Sequence, residues 1–485
     1  MPVIDHDGEY DVVVVGAGST GENVAGRVVR GGLTCAVVES ELVGGECSYW
    51  ACMPSKALLR SGQALRAALA VDGARQAVTG TLDSAAVFRR RDSFTSHWKD
   101  DSQVQWLDRQ PIDLARGRGR LAGKLRVTVT PAEGPEFTLA ARYAVALCTG
   151  SRASIPPIPG IESAHAWTSH EATSAQVVPR RLVIIGGGVV ACEMADAFKS
   201  LGSEEVTLVV RDDRILGNTE DFAGEAVLAS FERRGIDVLL STATERVTRA
   251  AGGEISVDIA DGDGGNRRTL TGDELLVATG RAPRTDEVGL DSVGLRPGSW
   301  LNVDDTCRVE GGGDWLYAAG DLNHRALLTH MGKYQARACG DAIVARAKGE
   351  LTGDPPPWSA FSATADHGAI PQVVFTDPEV SAVGLTHAGA VAAGLRVRAV
   401  DYEIGEVSGA ELLADGYAGR ARMVVDEDRK VIVGVTFAGP GVGDLIHAAT
   451  VAVVGQVPLD RLWHAVPSYP TISEIWLRLL ETYGL

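Results

Sequence analysis

Two segments that each read as strand, glycine-rich turn and helix, and a change of composition past a proline-rich stretch, predict an α/β chain. Two parallel-sheet units and a C-terminal α+β domain are expected. The first segment is DVVVVGAGSTGENVAGRVV, where the apolar run Val12 to Val15 suits a strand buried on both faces. Gly16, Gly18 and Gly21 then form G-x-G-x-x-G. The second is RLVIIGGGVVACEMADAF, with Gly186, Gly188 and Ala191 in the corresponding places.

Each turn suits a dinucleotide, so both units are read as Rossmann-like. The first glycine makes the tight turn and the second admits a pyrophosphate close to the backbone. The third small residue lets helix pack on strand, and the helix N-terminus faces the phosphate charge. The ends of the next strands separate the two sites. LTCAVVES ends in Glu39, a carboxylate suited to ribose hydroxyls. EEVTLVVRDDR places Arg211 at the matching position with Arg214 nearby, which favours the 2′-phosphate of NADPH over NADH.

Two further segments, VALCTGSRASIPPIPG and LLVATGRAPRTDEVGL, run from strand into T-G, at Gly150 and Gly280, and are read as crossings between domains. WLYAAGDL ends a further strand at Gly320-Asp321. The proline-rich LTGDPPPWSAF reads as a linker, and strand patterns with a covering helix follow it. The expected division is residues 1–155 for the first part of the first unit, 156–275 for the second unit and 276–350 for the return to the first. A linker at 351–358 and a C-terminal domain at 359–485 complete it.

Composition narrows the function. The chain has 485 residues, 45% of them hydrophobic, enough for several cores. Its net charge is −17 and it has no long basic run, which argues against nucleic acid or an anionic membrane as partner. No apolar run reaches membrane-spanning length, and the N-terminal MPVIDHDGEYDVVVVGAG enters a strand without a basic flank. A cytoplasmic location is expected. Of the seven cysteines, 35, 148, 192, 307 and 339 stand singly in apolar surroundings and are expected to be buried. Cys47 and Cys52 are paired locally and carry the chemical interest.

That pair lies in GGECSYWACMPSK, residues 44–56. Five residues apart, the two cysteines can sit within about one helical turn, in reach of a disulfide. Pro54 favours the first turn of a helix, whose dipole together with Lys56 would favour a thiolate. Zinc is disfavoured, because no second Cys or His pair at zinc spacing accompanies them.

The two G-x-G-x-x-G/A turns, the G-G-x-C-x4-C-x-P-S-K block, both T-G segments and Gly320-Asp321 together resemble the pyridine nucleotide–disulfide oxidoreductases. Glutathione reductase, dihydrolipoamide dehydrogenase and mercuric reductase are members, and the likeness spans nearly the whole chain. The resemblance implies FAD at the first turn, with Gly45 in its cradle and Asp321 on the ribityl chain, and NAD(P)H at the second. It implies that Cys52 lies against the flavin, that Cys47 is the interchange thiol and that Lys56 stands near flavin N5. It also implies a homodimer whose C-terminal domain completes the partner's active site.

Three departures stand out. The family's H-P-T-x-x-E reads here Tyr469-Pro470-Thr471-Ile472-Ser473-Glu474. A phenol with an ordinary pKa of about 10 is no substitute for imidazole as a base at neutral pH. Glu474, which would orient the family's histidine, is instead expected to bond Tyr469, and His464 is a candidate replacement base. Glu46 stands where the family commonly has threonine, and a carboxylate beside a pyrophosphate should point elsewhere. Tyr49 and Trp50 are bulkier than the usual residues between the cysteines and either line the pocket or pack in the core. The expected reaction passes electrons from NAD(P)H through FAD and Cys47–Cys52 to a small-molecule acceptor. The alternatives are direct reduction of a quinone or metal ion by flavin, and a non-catalytic redox sensor.

Overall fold

Residues 4–262 and 264–485 are described by the computed structural model, so the first three residues of the N-terminal segment lie outside it. Two units divide the chain. One comprises Met1–Met53, Asp92–Arg152 and Arg281–His367; the other comprises Pro54–Arg91, Ala153–Gly280 and Gly368–Leu485.

In the first unit, Val12 to Val15 are buried, as their uninterrupted apolar run requires. Their strand, Gly8–Val15, pairs in parallel with Cys35–Glu39 on one side and Phe137–Leu147 on the other. Asp113–Arg116 extends the sheet beyond Cys35–Glu39, and Arg126–Thr130 with Arg118–Leu121 forms an antiparallel flap beyond Phe137–Leu147. The helix Ser19–Arg30 follows the central strand and buries Val24, Ala25 and Val28 on one face. The helix Thr329–Ala347 packs along it, tied by Arg27 to Asp341 at 2.6 Å. Four of the single cysteines, Cys35, Cys148, Cys307 and Cys339, lie in this core.

The second unit holds a parallel sheet in the order Asp237–Leu239, Glu205–Val209, Arg181–Ile185, Glu274–Val277. The helix Val189–Leu201 buries Ala191, Cys192 and Phe198 against that core. Past the coil of 351–358, five antiparallel strands run in the order Gln372–Val374, Glu379–Gly384, Val431–Gly439, Arg420–Asp426, Val397–Glu403. The helices Ile446–Val454 and Ile475–Tyr483 cover this sheet. Among the described residues, no helix is long and apolar enough to cross a membrane.

Candidate active site

At the first turn Gly16 has φ +101°, and a Cβ there would stand 2.5 Å from the Cys148 carbonyl. A Cβ on Gly21 would collide with the Gly16 carbonyl, so the third glycine is what lets helix approach turn. Gly18 ends the turn and starts the helix with no side-chain cap, which leaves its first N–H groups for an anion. Gly45 faces Gly18 so closely that a Cβ would lie 2.8 Å from the Gly18 Cα. The half-buried Glu39 closes the site from the neighbouring strand end. Its carboxylate accepts from the Ala17 N–H at 2.7 Å and the Glu41 N–H at 2.8 Å, and burial pushes its pKa up. These free donors, bare glycines and a strand-end carboxylate fit the adenosine diphosphate half of FAD.

Asp321 opens the segment after the strand Leu316–Ala318. One of its oxygens accepts from the Ser151 hydroxyl at 2.5 Å, and burial raises its pKa. Gln335 holds the loop from behind, accepting from the Gly320 N–H and the Asn323 amide, both at 2.8 Å. Gly150 lies next to Ser151 in the same unit.

Cys47 and Cys52 do not share a helical turn. Cys47 lies in the short helix Gly45–Tyr49, which stops at Trp50 with φ −137°, and Cys52 opens a second helix, Cys52–Leu69. The two thiols are nevertheless within hydrogen-bonding reach, and Cys52 Sγ lies 3.2 Å from the Thr329 hydroxyl. The hydrogen bond with Cys52 and burial push the Cys47 thiol up, while Thr329 and the Lys333 ammonium pull it down. Thr329 heads the helix Thr329–Ala347 and was not expected from the sequence; its only local signal is a hydroxyl at a helix start. Tyr49 is core: it is buried, and its hydroxyl donates to the Val43 carbonyl at 3.0 Å. Glu46 points away from the Gly18 cradle, to Arg281 at 2.5 Å and Arg284 at 3.0 Å.

Six of the expected site positions, Lys56, Gly186, Gly188, Ala191, Arg211 and Gly280, belong to the second unit. Lys56 Nζ is 2.8 Å from the buried Glu193 and 4.9 Å from the Phe375 ring centre. Its charge is thus committed to a carboxylate, whose other oxygen accepts from the Phe375 N–H at 3.0 Å. Gly188 precedes the helix Val189–Leu201 with no side-chain cap and open space where a Cβ would stand. Gly186 and Ala191 flank it as the motif requires, and the Gly280 carbonyl accepts from Ser154 N–H at 2.9 Å. The Arg211 side chain is 87% exposed and, among the described residues, pairs only with Asp212 at 3.4 Å, whereas Arg214 is engaged by Asp221 and the Gly217 carbonyl. An exposed guanidinium past the strand end and an uncapped helix fit a nicotinamide dinucleotide.

The C-terminal motif departs from expectation. Tyr469 is 74% exposed, and its hydroxyl has no partner among the described residues. Glu474 is buried, does not bond Tyr469, and has one oxygen, Oε2, without a partner among the described residues; Arg478 is 3.9 Å from the other. Between them the chain turns through the short helix Ile472–Glu474, which directs the carboxylate inward while leaving Tyr469 outside. His464 is exposed at the end of the helix Leu459–Leu462.

Comparison with known proteins identifies the family. Residues 10–347 match the pyridine nucleotide-disulphide oxidoreductase model, and residues 370–479 match the dimerisation domain of the same family. The mercuric reductase of Acidithiobacillus ferrooxidans is 32% identical, over 96% of this chain and 81% of its own length. Dihydrolipoyl dehydrogenase 3 of Pseudomonas aeruginosa is 31% identical, over 96% of each chain. In fold, the chain is similar to the Cu(II) complex of the HOCl-induced flavoprotein disulfide reductase RclA from Escherichia coli, with a TM-score of 0.82, 21% identity, and 98% and 99% of the two chains covered. The protein belongs to the pyridine nucleotide-disulphide oxidoreductase family and is an FAD enzyme that draws electrons from NAD(P)H.

Proposed function

We propose that the protein uses NADPH to reduce the Cys47–Cys52 pair through FAD, and that the pair delivers electrons to a soft metal ion of the Hg(II) class rather than to an organic disulfide. One observation carries the choice: the position of the family's acid–base histidine holds a phenol that its companion carboxylate does not touch. Bound FAD supplies a two-electron carrier between nicotinamide and disulfide. Thiol exchange with an organic disulfide must protonate a leaving thiolate, and no imidazole stands at the position that does this. A soft ion held between the two thiolates takes up the two electrons they release as they close to the disulfide, and departs as the element without that proton transfer. The 32% identity to a mercuric reductase supports the same reading.

In this reading Gly16, Gly18, Gly21, Glu39, Gly45, Gly150 and Asp321 hold FAD, while Gly186, Gly188, Ala191, Arg211 and Gly280 hold NADPH. Lys56, paired with Glu193, serves the flavin. The protein acts in the cytoplasm as a homodimer, with the exposed run of Trp463, Val466 and Tyr469 turned toward the second copy. The proposed domains remain 1–155 with 276–350 for FAD, 156–275 for NADPH, a linker at 351–358, and 359–485 for dimerisation.

Steady-state oxidation of NADPH tests the acceptor. With Hg(II) buffered by excess small thiol, turnover is expected to exceed that with glutathione disulfide or lipoamide by about 10²-fold or more. Equal rates, or faster disulfide reduction, would overturn the choice. Arg211→Ala is expected to weaken NADPH by about 10- to 100-fold and to spare NADH, measured as binding to the holoenzyme. Equal loss of both coenzymes would remove Arg211 from the site.

A further inference from the structure

Glu46, Arg281, Arg284, Ser151 and Asp321 form one connected network within the first unit. The Arg281 Nη2 donates to Glu46 Oε2 at 2.5 Å, and the Arg284 Nη2 donates to Glu46 Oε1 at 3.0 Å, so the carboxylate bridges two guanidinium groups. Arg281 then reaches Ser151 twice, from Nε to the hydroxyl at 2.9 Å and from Nη2 to the carbonyl at 2.8 Å. Arg284 Nε adds a second bond to that carbonyl, at 3.2 Å. Ser151 finally donates its hydroxyl proton to Asp321 Oδ2 at 2.5 Å.

The direction of these bonds is fixed by chemistry. A guanidinium has donors only, so the Ser151 oxygen must accept from Arg281. The single hydroxyl proton is then left for Asp321 Oδ2, and among the described residues no donor reaches Asp321 Oδ1. A threonine at position 46 could not hold two arginines in this way. Two cations without their carboxylate would repel each other and be held by Ser151 alone, and the order imposed on Ser151 would be loosened.

We propose that Glu46 is a positioning residue for FAD: it fixes Arg281, which fixes Ser151 as donor to one oxygen of Asp321 and leaves the other oxygen to accept from the ribityl chain. This rests on the reading of Asp321 as the ribityl ligand. Glu46 immediately precedes Cys47, so the same clamp also ties the short helix of the interchange thiol to the Asp321 loop.

The test is the equilibrium between holoenzyme and free FAD, read by flavin fluorescence, for Glu46→Thr, Arg281→Met, the double variant and Asp321→Asn. Each single variant is expected to weaken FAD by about 10- to 100-fold. The double variant is expected to be no weaker than Arg281→Met alone, because Glu46 acts through Arg281. Wild-type affinity in Glu46→Thr or in Asp321→Asn, or losses that multiply in the double variant, would overturn the relay. Should Glu46→Thr fail to fold, Glu46→Gln keeps the shape and removes the charge; unchanged FAD affinity in that folded variant would overturn the proposal equally. No acceptor enters the measurement, so its failure and the failure of the acceptor assignment are separately visible.

Discussion

Cys52→Ser is expected to abolish the long-wavelength thiolate-to-flavin absorbance that the wild-type protein develops when it takes up its first two electrons. That band needs a thiolate in contact with the flavin, and Cys52 is assigned that place. Cys52 opens the helix Cys52–Leu69, so its sulfur lies at the positive end of a helix dipole and within 3.2 Å of the Thr329 hydroxyl. Cys47→Ser has the opposite expected result. With no partner to form a disulfide, Cys52 remains a thiol or thiolate, and the band should be present before any reductant is added. The effect in each case is all or none, read in one absorbance spectrum at neutral pH. A band that survives in Cys52→Ser and vanishes in Cys47→Ser would exchange the two roles.

Tyr469→His is expected to raise the reduction of glutathione disulfide or lipoamide, with a ceiling of about 10²- to 10⁴-fold, the usual worth of general acid–base help. Everything else in the motif is already present. Pro470, Thr471 and Glu474 stand at their family positions, and Glu474 Oε2 is a buried acceptor with no partner among the described residues, which an imidazole at 469 reaches only by turning inward from the exposed place of the phenol. An orphaned buried carboxylate oxygen costs stability, so the same substitution should not destabilise the C-terminal domain if the ring reaches it. Tyr469→Phe is the control: it removes the hydroxyl while keeping the ring. Loss of metal-ion reduction in Tyr469→Phe would place the hydroxyl in the native reaction. No gain of disulfide activity in Tyr469→His would show that Glu474 is not positioned to orient a base there, and His464 would be the next residue to replace.

How much of this was legible in the sequence follows the range of the interactions. Val12 to Val15, Gly16, Gly21 and the matching elements around Gly186 are fixed by local sterics and by burial on both faces, so pattern alone placed them. The exchange of histidine for Tyr469 was equally plain, because it sits inside an otherwise intact motif. The break between Cys47 and Cys52 was not legible. Trp50 ends a helix by its backbone dihedral, and nothing in GECSYWAC forbids a continuous turn. Glu46 showed by its chemistry that it should avoid a phosphate, yet its partners lie 235 and 238 positions further along the chain, beyond any periodicity. Glu193 and Thr329 escaped notice for the same reason. The former meets Lys56 and the latter meets Cys52 only after distant segments have folded together. The expected bond from Glu474 to Tyr469 failed because the backbone at 471–474 turns the carboxylate inward, which sequence spacing does not reveal.

The most direct measurement is an anaerobic reductive titration of the purified holoenzyme, counting the equivalents of two-electron reductant consumed per FAD. If the Cys47–Cys52 pair is the redox partner of the flavin, the wild-type protein consumes one equivalent for the disulfide, with the thiolate-to-flavin band rising, and a further one for the flavin. Cys47→Ser then consumes a single equivalent. A wild-type protein that bleaches its flavin with the first equivalent, develops no band and matches Cys47→Ser would contradict the account, because its electrons would not pass through the pair.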